Sequence, residues 1–182
     1  DSLLRCVDGL IEQLDTDRHL GLLVNDGGPD DDAVERALLA RIADRPGFQY
    51  ERNDHNLGFV GTCNRAVLEL DTGAEAVLLL NSDAVPTAGF LDAMLAVLDE
   101  ERTGVVTARS DNATIASIPY RLTNRGAART EARTRAVWSE IAPLLPESQV
   151  LPVAMGFCFL TRRELITEHG LFDAAFAPRS EE

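Results

Sequence analysis

Lysine is missing from this sequence: all 17 basic residues are arginine, and they face 30 aspartates and glutamates, for a formal charge of −13. A chain that acidic offers no basic face to a phosphate backbone, so duplex nucleic acid is not an expected partner. Cysteine is scarce too. Cys6, Cys63 and Cys158 are odd in number, widely spaced and without a CxxC pair, which argues against a disulfide framework or a structural zinc. Reducing, cytoplasmic surroundings are the expectation. No apolar run reaches the roughly 18 residues that a membrane span needs, and no basic-then-apolar leader opens the chain. A soluble protein is therefore expected, with peripheral contact at the inner face of a membrane left open. Neither a GxGxxG nor a P-loop pattern follows any candidate strand, which disfavours a dehydrogenase or a nucleotidyltransferase.

What is present suits one α/β domain over residues 1–182: 45% of the residues are hydrophobic, enough for a sizeable core. Leu3, Leu4, Val7, Leu10, Ile11 and Leu14 recur at helical spacing, predicting an amphipathic helix over 2–14. Leu20–Val24 is a short apolar run closed by the turn-rich Asn25-Asp26-Gly27-Gly28-Pro29, a buried strand ending in a loop. Asp30–Asp32 supply capping carboxylates for a helix to Ile42. A strand over 48–52, a polar loop over 53–56 and a helix over 58–70 repeat the pattern. Ala76–Leu80 reads as a central strand covered on both faces. Thr87 is placed to cap a helix carrying Phe90, Met94, Leu95 and Leu98. Gly104–Ala108 and Val153–Leu160 are further strands, the last followed by a short helix over 163–169. Strands alternating with helices predict a layered, mostly parallel sheet whose ligands sit beyond the carboxyl ends of the strands.

Two of those ends carry a carboxylate, Asp26 and Asp83. Mg²⁺ and Mn²⁺ prefer carboxylate and phosphate oxygens, and a substrate diphosphate can supply most of the ligands, so one aspartate suffices. Taken singly, such residues are ordinary strand terminators.

The segments Val24-Asn25-Asp26-Gly27-Gly28-Pro29-Asp30, Asn53-Asp54-His55-Asn56-Leu57-Gly58-Phe59 with Asn64, and Leu78-Leu79-Leu80-Asn81-Ser82-Asp83 resemble, in order and spacing, family 2 glycosyltransferases of the GT-A fold. Ala154-Met155-Gly156-Phe157-Cys158-Phe159-Leu160 and Gly170-Leu171-Phe172-Asp173-Ala174-Ala175-Phe176 look like that family's acceptor-side strand and its Gly-x-Phe-Asp turn; a rhamnosyltransferase-like branch is the best fit. The resemblance implies a GT-A-type nucleotide-binding fold and sugar transfer from a nucleoside diphosphate to an acceptor hydroxyl, metal-dependent and inverting. It also implies that Asp26, Asn56, Gly58, Asn64, Asn81, Ser82 and Asp83 bind the nucleotide sugar. Asp83 would be the ligand of Mn or Mg, because Asn81 stands where many relatives have the first aspartate of an Asp-x-Asp motif and offers only a neutral oxygen. The acidic pair that follows the turn in the family corresponds to Glu181-Glu182, with Glu182 the implied general base and Glu181 second. Relatives begin one strand earlier and continue past the acidic pair, so the chain is expected to be cut at both ends.

The implied acceptor is a glycan or lipid-linked glycan of the cell envelope, with Gly156, Asp111 and Asn112 on the acceptor side. A noncatalytic sugar-nucleotide-binding module of a larger glycan-assembly protein is the alternative. Between Arg109 and Val153 lies a connection of about forty residues, long for a compact domain. Arg121, Arg125, Arg129 and Arg133 recur in it at every fourth position. On a helix they would form a stripe suited to an anionic acceptor or lipid head group, though a solvated face accounts for them as well. His19, His55 and His169 share no ligand spacing and read as surface residues.

Overall fold

The computed structural model describes residues 2–28, 31–71, 73–111, 116–117 and 130–175. Its elements, in order, are α1 (Ser2–Gln13), β1 (Gly21–Asn25), α2 (Asp31–Ile42), β2 (Phe48–Arg52), α3 (Gly58–Arg65) running into a π-helical turn (Ala66–Leu70), β3 (Ala76–Leu80), α4 (Phe90–Leu98), β4 (Val105–Thr107), α5 (Glu131–Ile141) ending in a 3-10 turn (Ala142–Leu144), β5 (Cys158–Arg162) and α6 (Arg163–His169). β1 and β2 pair in parallel, Gly21 opposite Phe48 and Asn25 opposite Arg52. β5 lies between β3 and β4 and runs antiparallel to both, Ala76 opposite Arg162 and Val105 opposite Thr161.

The apolar stripe of α1 explains the first layer. Val7 packs with Leu38, Ile42 and Phe48, and Leu3, Leu4, Leu10, Ile11, Leu23 and Tyr50 close around them, so α1 and α2 cover the parallel pair. β3 is covered on both faces, as its continuous apolar run predicts. Leu78 and Leu80 join Met94, Leu98, Cys158 and Leu160 under α4, while Val77 and Leu79 turn the other way toward Val67 and Ile166. Burying an aliphatic side chain this fully contributes about 1.5–3 kcal/mol.

Several expectations need correction. Thr87 does not cap α4 with its side chain. Gly89 is the N-cap residue, and only the Thr87 carbonyl takes part, accepting the Phe90 amide. The last strand starts at Cys158 rather than Val153. Val153 is 54% exposed and Gly156 sits in a turn, whereas Thr161 and Arg162 extend the strand opposite Val77 and Ala76, with their side chains donating to the Gly104 and Thr103 carbonyls. α3 gives way to a π turn after Arg65. There Asp71 N–H reaches back to Ala66 O, and the Arg163 guanidinium takes the Val67 carbonyl. The carboxylates expected to cap α2 fall partly outside the described residues. So do Arg121, Arg125 and Arg129; Arg133 is exposed on α5.

Candidate functional site

Asp26 follows β1 directly, and three elements converge on it. Its Oδ1 accepts from Asn53 Nδ2 at 2.6 Å and from the Leu57 amide at 2.8 Å. Asn53 is buried and also spends Nδ2 on Thr62 Oγ1 at 2.9 Å, while its Oδ1 accepts from Arg65 Nη1 at 2.6 Å. A relay thus runs from the Arg65 cation through the Asn53 amide to the Asp26 anion. Burial alone would push the Asp26 carboxyl up. The hydrogen bonds from the Leu57 amide, Thr62, Asn53 and the Gly58 amide outweigh it and hold the group below its ordinary value near 3.8. The carboxylate is ionised at neutral pH. Next to it, Asn25 Oδ1 caps the turn through Gly27 N–H at 2.9 Å and Asn25 Nδ2 donates to Tyr50 Oη at 3.0 Å.

Asn56 and Gly58 come to the same place. Asn56 Oδ1 accepts the Gly58 amide at 2.9 Å, and Gly58 opens α3 at φ 68°, a conformation that strains any residue with a Cβ. The structure therefore brings Asp26, Asn56 and Gly58 together. Asn53, Thr62 and Arg65 complete the group, and none of the three is among the binding residues expected from the sequence. Asn53 stood in the polar loop already singled out. Arg65 lies one turn of α3 beyond Thr62, and a spacing of that kind becomes a signal only once the target, Asn53, is known.

Asn81-Ser82-Asp83 leaves β3 as an exposed turn closed by Ala84 N–H to Asn81 O at 3.0 Å. The Asn81 amide donates to Phe157 O at 2.8 Å, which sets this turn beside the one that contains Gly156. Beneath it lies Cys6 of α1, whose thiol sits 3.6 Å from Asn81 O and is pushed up to about 11, first by burial and then by the Asp83 charge. Among the described residues no group of three or more His, Cys, Asp or Glu side chains is arranged to hold a metal. A divalent ion here would have one anionic protein ligand, the exposed Asp83 carboxylate, with the Asn81 oxygen as a neutral second; that donor set fits a hard cation whose other ligands come from a diphosphate.

Asn64, expected at the nucleotide, has both ends of its amide engaged elsewhere. Nδ2 donates to Phe172 O at 2.9 Å, and Oδ1 accepts from Phe172 N at 3.1 Å. Asp111 is half-buried and accepts from Thr134 Oγ1 at 2.7 Å, tying it to α5. Glu181, Glu182 and Asn112 lie outside the described residues.

A cleft of about 170 Å³ opens elsewhere, between the end of α1 and the start of α4, lined by Gln13, Asp15, Arg18, His19 and Phe90 among others. It lies at the entry end of β1, opposite to Asp26, and holds none of the expected site residues. His19 is half-buried there, with Nδ1 enclosed and unpartnered among the described residues, which corrects its assignment to the surface; His55 and His169 are exposed.

Strands of both directions between helical layers, with acidic turns at the strand ends, define an α/β fold of GT-A type. A mannosyltransferase from Pyrobaculum calidifontis, solved in complex with GDP-Man and Mn²⁺, superposes with a TM-score of 0.62 at 19% identity, over 94% of this chain and 44% of its own. At that identity the likeness concerns the fold, and the chain spans less than half the length of that enzyme. The model of glycosyl transferase family 2 matches residues 1–170, and the chain belongs to that family. No curated protein matches it.

Proposed function

We propose that this chain is the donor-binding core of an enzyme that moves a hexosyl group from a nucleoside diphosphate to an acceptor hydroxyl with inversion. The observation that carries the reading is the Asp26 carboxylate, kept ionised at the end of β1 by Asn53, Thr62 and the Leu57 amide. An ionised carboxylate at a strand end is suited to receive N–H donors of a nucleotide base. Asn56 and Gly58 belong to this side of the site, and Asn81, Ser82 and Asp83 to the diphosphate side.

In the reaction the acceptor oxygen attacks the anomeric carbon while the bond from that carbon to the diphosphate oxygen breaks, and the leaving diphosphate keeps the electron pair. The acceptor proton passes to a carboxylate on the far side of the sugar, for which Glu182, with Glu181 second, is the candidate that the family resemblance supplies. Mn or Mg held by Asp83 would neutralise charge on the departing diphosphate. The acceptor we infer is a glycan or lipid-linked glycan of the cell envelope, met in the cytoplasm or at the inner face of the membrane. No helix among the described residues is long and apolar enough to cross it.

Thermal-shift measurements against UDP, GDP and dTDP sugars, with and without Mn²⁺, test this directly: binding at 100 times Kd stabilises by about 2.7 kcal/mol. A shift that needs the metal, followed by release of nucleoside diphosphate, is the expected result. No shift with any of the sugars would end the reading, and binding without release would favour a noncatalytic module.

A further inference from the structure

We propose that Asn64 is a positioning residue that fixes the turn after α6 against the nucleotide-side helix α3, and does not itself contact the nucleotide. The inference rests on the donor-binding reading above and deepens it. The Asn64 amide mimics a backbone strand: it donates to the Phe172 carbonyl at 2.9 Å and accepts the Phe172 amide at 3.1 Å, so one side chain satisfies both polar groups of one residue. Those two residues are 108 positions apart in the chain, and the contact is partly buried. Phe59, in the first turn of α3, meets the same residue from a second direction, its ring 5.5 Å from that of Phe172 and tilted by 45°.

The two contacts constrain different things. The paired hydrogen bonds set the height and direction of the Phe172 backbone, and the ring contact limits rotation about it. The other end of α3 is Gly58, whose amide hydrogen-bonds to Asn56 and Asp26. α3 is therefore a rigid spacer, with the donor pocket at its start and the Phe172 turn clasped along its side. The family resemblance sets the Phe172 turn on the acceptor side, and a misplacement of about 1 Å caused far from the chemistry can cost on the order of 10²-fold in rate.

The test uses the full chain, with the GDP-, UDP- or dTDP-sugar that the wild type turns over in the presence of Mn²⁺. Asn64→Ala removes both hydrogen bonds. Asn64→Asp keeps an acceptor for the Phe172 amide and sets a charge against its carbonyl. Each should lower kcat for nucleoside diphosphate release at least tenfold while the donor Kd, measured by calorimetry, stays within twofold. Phe59→Leu provides a route that leaves the amide intact. It should show the same split to a lesser degree, and it decides the matter should the Asn64 variants lose their far-ultraviolet circular dichroism. A tenfold rise in donor Kd with kcat unchanged in the Asn64 variants would make Asn64 a direct ligand and overturn the proposal, as would unchanged kcat and Kd in a folded variant. Failure of the donor-binding reading itself is seen separately, in a wild type that binds and turns over none of these sugars, and it would take this role with it.

Discussion

At the scale of single residues, the decisive charge is that of Asp26, and its pH behaviour has a definite sign. The folded carboxyl is held below its ordinary value near 3.8, so its stabilising contribution is complete above that value and fades as the pH falls through the lowered one. Asp26→Asn should therefore flatten the acid limb of the melting temperature against pH and run parallel to the wild type above about pH 5, while weakening donor binding about tenfold, or 1.4 kcal/mol. A second reporter sits alongside. The Cys63 thiol is pushed up to about 11 by burial and then by the Asp26 charge, so the same substitution should accelerate its alkylation by iodoacetamide at pH 8. An unchanged alkylation rate would show that the carboxylate does not act on the thiol. At the other strand end, Asp83→Ala should abolish the gain in nucleotide affinity that Mn²⁺ gives, as calorimetry can measure. Affinity that still responds fully to the metal would remove Asp83 as its ligand.

At the scale of elements, the adjacent residues Arg162 and Arg163 hold neighbouring pieces of chain in opposite directions. Arg163 donates to Asp71 Oδ2 at 2.7 Å and to the Ala74 and Val67 carbonyls, with side-chain exposures of 17% and 20% in the ion pair. Arg162 donates to the Leu98 and Thr103 carbonyls. Lysine cannot reproduce a fork of donors, so Arg163→Lys should lower the urea midpoint with the m-value unchanged, a loss of about 2–3 kcal/mol. Gly21 is a second sensitive point: a Cβ there would come within 2.5 Å of the buried Phe48 ring, and Gly21→Ala should cost about 1–3 kcal/mol by the same measurement. How much of this was legible in the sequence follows from what periodicity can carry. β2 and β3 were readable to the residue because their ends coincide with turn chemistry. The nearness of Asp26, Asn56 and Gly58 was legible from motif order, and so was the placement of Asp83 at a strand end. The direction of β5 was not, since an apolar run has no arrow; the long connection before it was the available hint. Apolar residues such as Val153 imitate a strand in composition, while Thr161 belongs to one because its backbone lies between Val77 and Val105. Asn64 was read by family position, and its real partner, Phe172, is too distant in the chain for any local pattern to show.

At the scale of the whole molecule, the excess of 13 negative charges works against compactness. Raising the ionic strength from about 0.01 to 0.15 M shortens the screening length from about 30 to 8 Å, so the melting temperature should rise with sodium chloride over that range. A flat or falling response would mean that attractive surface pairs such as Arg5–Glu131 and Arg41–Asp8 outweigh the repulsion. The reversed strand also has a consequence for how the molecule is made. β1 finds β2 after one short helix, but among the described residues β3 and β4 are joined through β5, which leaves the ribosome long after both. Until then the flank of β3 that β5 will occupy stays uncovered, an edge with the hydrogen-bonding potential to recruit another chain. Slow, long-range pairing of this kind makes the nascent protein most vulnerable to aggregation in the interval between the synthesis of Leu80 and that of Cys158.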